Sequence, residues 1–280
     1  LEIRLPDRLV THLLGSDDAD HSLSAFSRLI EPKETLDRVV LAPSEKTKIV
    51  SLVSGHKNYL QALDTWGLGE AIPYGRGVTM LFSGPSGTGK TLTARAVAHH
   101  LGHRLLMVDT SRLTNQAASF ESNIENTLRE ARLQRAVLFF DECESLFHAG
   151  NRTTGSLSIL LEALEQFDGV VILATNIPQA LDEAVDRRIL YRVDFEIPSP
   201  SMREEIWRVH LPPELPLADD VDINYLGRRF EFAGGYIKNA VLLAAGKAAN
   251  RLEKGREAYV TQGDLMEAAH TQLRSRLNRW

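Results

Sequence analysis

The residues Gly84, Pro85, Ser86, Gly87, Thr88, Gly89, Lys90 and Thr91 have the spacing G-x-x-x-x-G-K-T, directly after an apolar run and at the start of a segment with helical periodicity. Glycines let a backbone curl until successive N–H groups converge, and a helix start adds partial positive charge at the same point. A lysine so placed reaches the β- and γ-phosphates of a nucleotide, and the hydroxyl of Thr91 can ligate magnesium. A second stretch, Val137 to Glu142, ends an apolar run in two carboxylates. On a buried parallel strand they reach the carboxyl edge, where open α/β sheets hold their ligands. Asp141 then holds magnesium through water, and Glu142 orients and activates an attacking water. Phosphoryl transfer needs such positioning and charge neutralisation more than covalent chemistry.

Val171 to Asn176 repeats the pattern and ends in an asparagine able to hydrogen-bond the attacking water or the γ-phosphate. Alone, such an asparagine is a turn former, and an Asp-Glu pair alone is a solvated strand end; the phosphate loop gives both their chemical reading. Arg187 and Arg188 follow. Without context they read as a solvated helix end, but their place after the asparagine strand suits an arginine finger, which stabilises charge developing on the γ-phosphoryl oxygens. Cys143 has no visible base partner and reads as a small buried residue. His99, His100 and His103 end a helix, where cations suit the negative end of the dipole. Arg274, Arg276 and Arg279 form a basic C-terminal face of solvated or subunit-contact character.

These groups have to be held by regular elements. Short apolar runs at 78–83, 104–109, 136–141, 170–175 and 191–197 alternate with helical segments near 90–101, 121–134, 156–167 and 179–184. That alternation predicts an α/β fold with a mainly parallel, five-stranded sheet covered on both faces. The last run places Tyr191, Val193, Phe195 and Ile197 on one side, as an edge strand does. A helix at 43–63 precedes the first strand. After Pro198 and Pro200 only helices are expected, near 201–210, 222–229, 234–252 and 261–276. The division predicted is a leader or linker at 1–35, an α/β domain at 36–199 and a small helical domain at 200–280.

The chain has 280 residues, 43% hydrophobic and 25% charged, which excludes a disordered or low-complexity class. Its net charge of −5 supplies no global field for nucleic acid or an anionic membrane. The longest apolar runs fall far short of the roughly 20 residues of a membrane helix. A single cysteine fits a reducing, cytoplasmic setting. The first residue is Leu1, which reads as the start of a fragment with a further domain upstream.

In order and spacing, GPSGTGKT, VLFFDECESLF, VVILATN, LDEAVDRRI and FAGGYIKNAVLLAA resemble the AAA+ ATPases and, within them, the narrower AAA group, from about Val39 to Ala249. The resemblance implies ATP and Mg2+ as ligands, with a Walker A loop at Gly84 to Thr91 and a Walker B pair at Asp141 and Glu142. It further implies a sensor at Asn176 and arginine fingers at Arg187 and Arg188 acting on a neighbouring subunit. A helical lid from about residue 200 and a homo-oligomeric ring, usually a hexamer, belong to the same expectation, with a protein complex as substrate. Asp37 to Leu41, with Val39 and Val40, is similar to the stretch that packs on adenine. Gly235 fills the position where other AAA+ members carry a second-sensor arginine, and Lys238 lies one turn further on. The wording around Gly234 to Asn239 and Pro73 to Gly77 resembles bacterial single-ring members. Two departures bear on threading. Gln116 or Ala117 stands where unfoldases carry a pore aromatic, with Phe120 the nearest ring, and the segment from Phe147 to Gly155 is short. Hence a second expectation, a nucleotide-controlled assembly scaffold that pulls no polypeptide.

Overall fold

Four of the apolar runs become the centre of a sheet, because both of their faces carry side chains that only a covered strand can hide. In the computed structural model, residues 25–67, 75–114, 119–147, 154–177, 187–252 and 258–277 are described. They form β1 (Ser27–Ile30), α1 (Pro43–Thr65), β2 (Val78–Ser83), α2 (Lys90–His100), β3 (Arg104–Asp109), α3 (Thr110–Thr114), α4 (Phe120–Gln134) and β4 (Ala136–Asp141). Then follow α5 (Glu144–Phe147), α6 (Thr154–Glu165), β5 (Val170–Thr175), β6 (Tyr191–Asp194), α7 (Pro200–His210), α8 (Ile223–Arg229), α9 (Gly234–Leu252) and α10 (Gln262–Leu277). The helix expected near 179–184 lies outside the described residues, as do Gln116 and Ala117.

The sheet order is β1-β3-β4-β5-β2-β6. Every pairing is parallel except that of β1 with β3, where Ser27 stands opposite Val108 and Ile30 opposite Leu105. Alternation along β4 supplies both layers. Leu138 and Phe140 join Ile124, Leu128, Leu160 and Leu164 of α4 and α6 on one face. Val137 and Phe139 join Ile49 and Val53 of α1 and Ala94 and Val97 of α2 on the other. Each fully buried side chain of this size contributes about 1.5–3 kcal/mol relative to exposure, which is what fixes the strand register.

The sheet has six strands where five were expected. β1 falls within the stretch read as a leader, and it is held by more than its ladder. Phe26 is buried in the α4/α6 layer, its carbonyl accepts from Asp109 N at 2.9 Å, and Glu34 pairs with Arg95 of α2 at 3.0 Å. The edge strand β6 is shorter than its apolar run. Val193 and Phe195 are buried, but the chain turns away at Pro198 and leaves Ile197 exposed.

After β6, Pro200 at the first turn and the side chain of Ser199, which accepts from Met202 N at 3.3 Å, start α7. α7 to α10 enclose their own core around Trp207, Leu226, Phe230, Phe232, Ile237 and Leu265. Among the described residues no helix is long and apolar enough to cross a membrane.

Candidate nucleotide site

The order β4-β5-β2 makes neighbours of the three strands that lead into Asp141, Asn176 and the phosphate loop. The loop's shape depends on glycine. Gly84, Gly87 and Gly89 have φ of 140°, 80° and 112°, in the region that side chains avoid, and a Cβ on Gly84 would run into the carbonyl of Phe195. Gly89 is the N-cap of α2, so Lys90 and Thr91 begin the helix whose N-terminus faces the loop.

Lys90 is buried, and its ammonium donates to Gly84 O at 2.6 Å, Pro85 O at 3.0 Å and Asn176 Oδ1 at 2.8 Å. Burial lowers its pKa, and the charges of Asp141 and Glu144 oppose that shift. Thr91 Oγ1 lies 3.4 Å from Asp141 Oδ2, so a hydroxyl and a carboxylate share one small space. Such hard oxygen donors fit Mg2+, which takes few protein ligands and keeps several waters. Burial raises the pKa of Asp141, while the Glu142 N–H, the Lys90 charge and the Thr91 hydroxyl act against that shift.

Glu142 follows in a left-handed backbone conformation, φ 55°. Its N–H donates to Asp141 Oδ1 at 3.0 Å, and the hydroxyl of the fully buried Thr110 donates to Asp141 O and Glu142 O at 2.9 and 2.7 Å. These bonds hold a conformation that costs a non-glycine residue roughly 1–2 kcal/mol. Burial, then the charges of Asp141, Glu144 and Asp109, raise the pKa of the Glu142 carboxyl.

Asn176 is gripped from its other side. Its Nδ2 and backbone N–H donate to the two oxygens of Glu144, at 2.8 and 3.3 Å. Neither Glu144 nor Thr110 was singled out from the sequence. Their partners lie 32 residues away in the chain, and only strand order brings them together. The one available signal was a third carboxylate directly after the Asp-Glu-Cys run. Cys143 is buried, and burial pushes its thiol well above the usual range, which leaves it no thiolate character.

Arg187 and Arg188 are exposed; Arg188 Nε binds Glu165 Oε1 at the end of α6, at 2.5 Å. Val39 is buried, Val40 packs on the helical core and Leu41 on the sheet, so this segment bridges the two bodies. At the same seam Gly235 N donates to Gly87 O at 3.0 Å, bringing the start of α9 onto the phosphate loop. Lys238 is exposed, and its charge and that of Arg38 act on His210, whose pKa is lowered chiefly by burial. Phe120 starts α4 and packs against the α/β core.

The family model for the ATPase family associated with various cellular activities (AAA) matches residues 80–200. A cell division cycle protein 48 homolog of Archaeoglobus fulgidus is 32% identical over 243 residues, which are 79% of this chain and 33% of that protein. A 26S proteasome regulatory subunit 8 homolog of Encephalitozoon cuniculi is 34% identical over 223 residues, 74% of this chain and 55% of that protein. The katanin p60 ATPase-containing subunit A1 of Strongylocentrotus purpuratus is 32% identical over 200 residues, 64% and 38% of the two chains. The chain thus spans between a third and just over half of the length of these relatives. Similar proteins come from archaea, eukaryotes and bacteria, so they do not single out a bacterial type. A solved structure from work on katanin self-assembly superposes with a TM-score of 0.68 at 22% identity, covering 90% of this chain and 89% of that one, a likeness of fold. With its phosphate loop, paired carboxylates and strand-end asparagine on this fold, and with relatives at such identity, the chain belongs to the AAA family of ATPases.

Proposed function

We propose that this chain hydrolyses ATP with Mg2+ as a subunit of a homo-oligomeric ring, a hexamer, and uses the cycle to remodel or disassemble a protein assembly. The observation that carries the reading is the convergence of Lys90, Thr91, Asp141 and Asn176 at the carboxyl ends of three neighbouring strands. Lys90 exchanges its carbonyl partners for the β- and γ-phosphates, and the loop from Gly84 to Gly89 lends its N–H groups to the same oxygens. Magnesium, when bound beside Thr91 and Asp141, neutralises phosphate charge. Glu142 accepts a proton from the attacking water as the water oxygen bonds to the γ-phosphorus and the bond from that phosphorus to the β–γ bridging oxygen breaks, so that ADP leaves and inorganic phosphate is formed. Arg187 and Arg188 serve the neighbouring subunit's site, while Val39, Val40 and Gly235 line the adenosine side. In this reading residues 36–199 form the catalytic domain and 200–280 the lid, in a cytoplasmic protein without affinity for nucleic acid. Phosphate release with Mg-ATP, measured alongside mass by light scattering with and without nucleotide, tests it. Absence of Mg-dependent turnover in the assembled protein sinks it.

One observation favours a second reading, a nucleotide-controlled scaffold that pulls no polypeptide. Gln116 and Ala117 supply no aromatic side chain, and Phe120, the nearest ring, is half-buried against the core. Replacing Gln116 by alanine leaves a scaffold's partner assembly intact and disables a translocating motor.

A further inference from the structure

Asn176 can face its site in two ways, with the amide oxygen or with the amide nitrogen toward the phosphates, and the two do opposite chemistry. An oxygen accepts a hydrogen bond from a water or an ammonium; a nitrogen donates one to a γ-phosphate oxygen. Its neighbours settle the matter. Lys90 carries an ammonium, which can only donate, and it lies 2.8 Å from Oδ1. Glu144 carries a carboxylate, and it takes Nδ2 at 2.8 Å and the backbone N–H of Asn176 at 3.3 Å. Reversing the amide would set donor against donor at Lys90 and acceptor against acceptor at Glu144. Glu144 is itself fixed, because Cys143 N donates to Ala174 O at 2.9 Å and α5 starts at the next residue, across from the end of β5. Lys90 must turn toward a bound nucleotide, whereas Glu144 has no such demand on it and keeps its hold.

We propose that Glu144 is a positioning residue: it holds the amide of Asn176 so that the oxygen faces Lys90 and the attacking water. Asn176 then orients the water by accepting its hydrogen bond. The inference rests on the ATPase reading above.

The test uses the full chain, with turnover at saturating Mg-ATP and affinity for a fluorescent ADP measured together. Glu144→Ala and the isosteric Glu144→Gln each lower kcat about tenfold or more while KM and ADP affinity stay within about threefold. In an Asn176→Ala background, Glu144→Ala costs no more than about twofold further. The decisive variant reverses the polarity of the pair. Asn176→Asp alone sets two carboxylates face to face and is impaired; Asn176→Asp with Glu144→Gln restores a donor to that contact and keeps an acceptor toward Lys90. This double variant recovers kcat about tenfold over Asn176→Asp.

Wild-type turnover with Glu144→Ala at the same kcat overturns the inference and leaves the ATPase reading standing. So does a double variant no better than Asn176→Asp, the result expected if Asn176 works by donating to the γ-phosphate. A wild-type protein without turnover overturns the ATPase reading, and the inference with it.

Discussion

At Glu142 the backbone is left-handed, and the hydroxyl of Thr110 bonds to its carbonyl, so the carboxylate proposed to meet the attacking water stands on a strained and clamped residue. Glu142→Gln keeps size and contacts but removes the proton acceptor. Turnover should fall by about 10²–10⁴-fold with nucleotide affinity preserved, as phosphate release and fluorescent-ADP titration will report. Lys90→Ala should instead weaken ATP binding itself, by about tenfold or more, through loss of a charge-assisted contact. Equal affinity for ATP in both variants would contradict the division of roles. At this scale the sequence displays the groups whose order along the chain is itself a pattern, such as Lys90 with Thr91 and Asp141 with Glu142. Groups that act from a neighbouring strand leave no such mark. Glu144 and Thr110 look like ordinary helix-start residues until β3, β4 and β5 are laid side by side.

Among the elements, the turn from β2 into α2 has the least tolerance. Gly84→Ala combines a φ of 140° with a clash against the Phe195 carbonyl, and it should cost about 1–3 kcal/mol of stability and most of the ATP affinity. Thermal unfolding and nucleotide titration check both, and an unchanged melting temperature would show that the turn relaxes. The helical domain has a different weak point. Asp264, buried in the first turn of α10, accepts from Arg251 at 3.0 and 2.6 Å and from Thr261 N and Oγ1 at 3.1 and 2.9 Å. The bonds from Arg251 chiefly hold its pKa below the usual aspartate range, against the opposing effect of burial. A depressed folded-state pKa adds stability that is present above the unfolded value of about 3.9 and is lost as pH falls through the folded one. Asp264→Ala should therefore cost about 1–2 kcal/mol at neutral pH. The gap from wild type should narrow as the pH drops below about 4; a gap constant with pH in thermal melts would refute the linkage. Apolar runs made β2 to β5 legible. β1 was not, because Ser27–Ile30 offers four residues without clear alternation, and its place depends on Phe26 finding a pocket between elements still far ahead in the chain.

Taken whole, the molecule is an α/β body and a helical body meeting at the phosphate loop, with Arg187 and Arg188 on the outer surface. If those arginines act between subunits, a mixture recovers what neither parent has. Arg187→Ala/Arg188→Ala subunits keep an intact pocket, Glu142→Gln subunits keep intact arginines, and mixed rings should show about tenfold more turnover than either alone. A mixture no better than its parents would place the arginines in the service of their own subunit. The antiparallel strand β1 has a mechanical meaning too. Its first pair, Ser27 with Val108, and the bond from Asp109 N to Phe26 O lie at the end of β3 that leads into Thr110. That ladder braces the end of β3 next to Thr110, whose hydroxyl holds the Glu142 backbone.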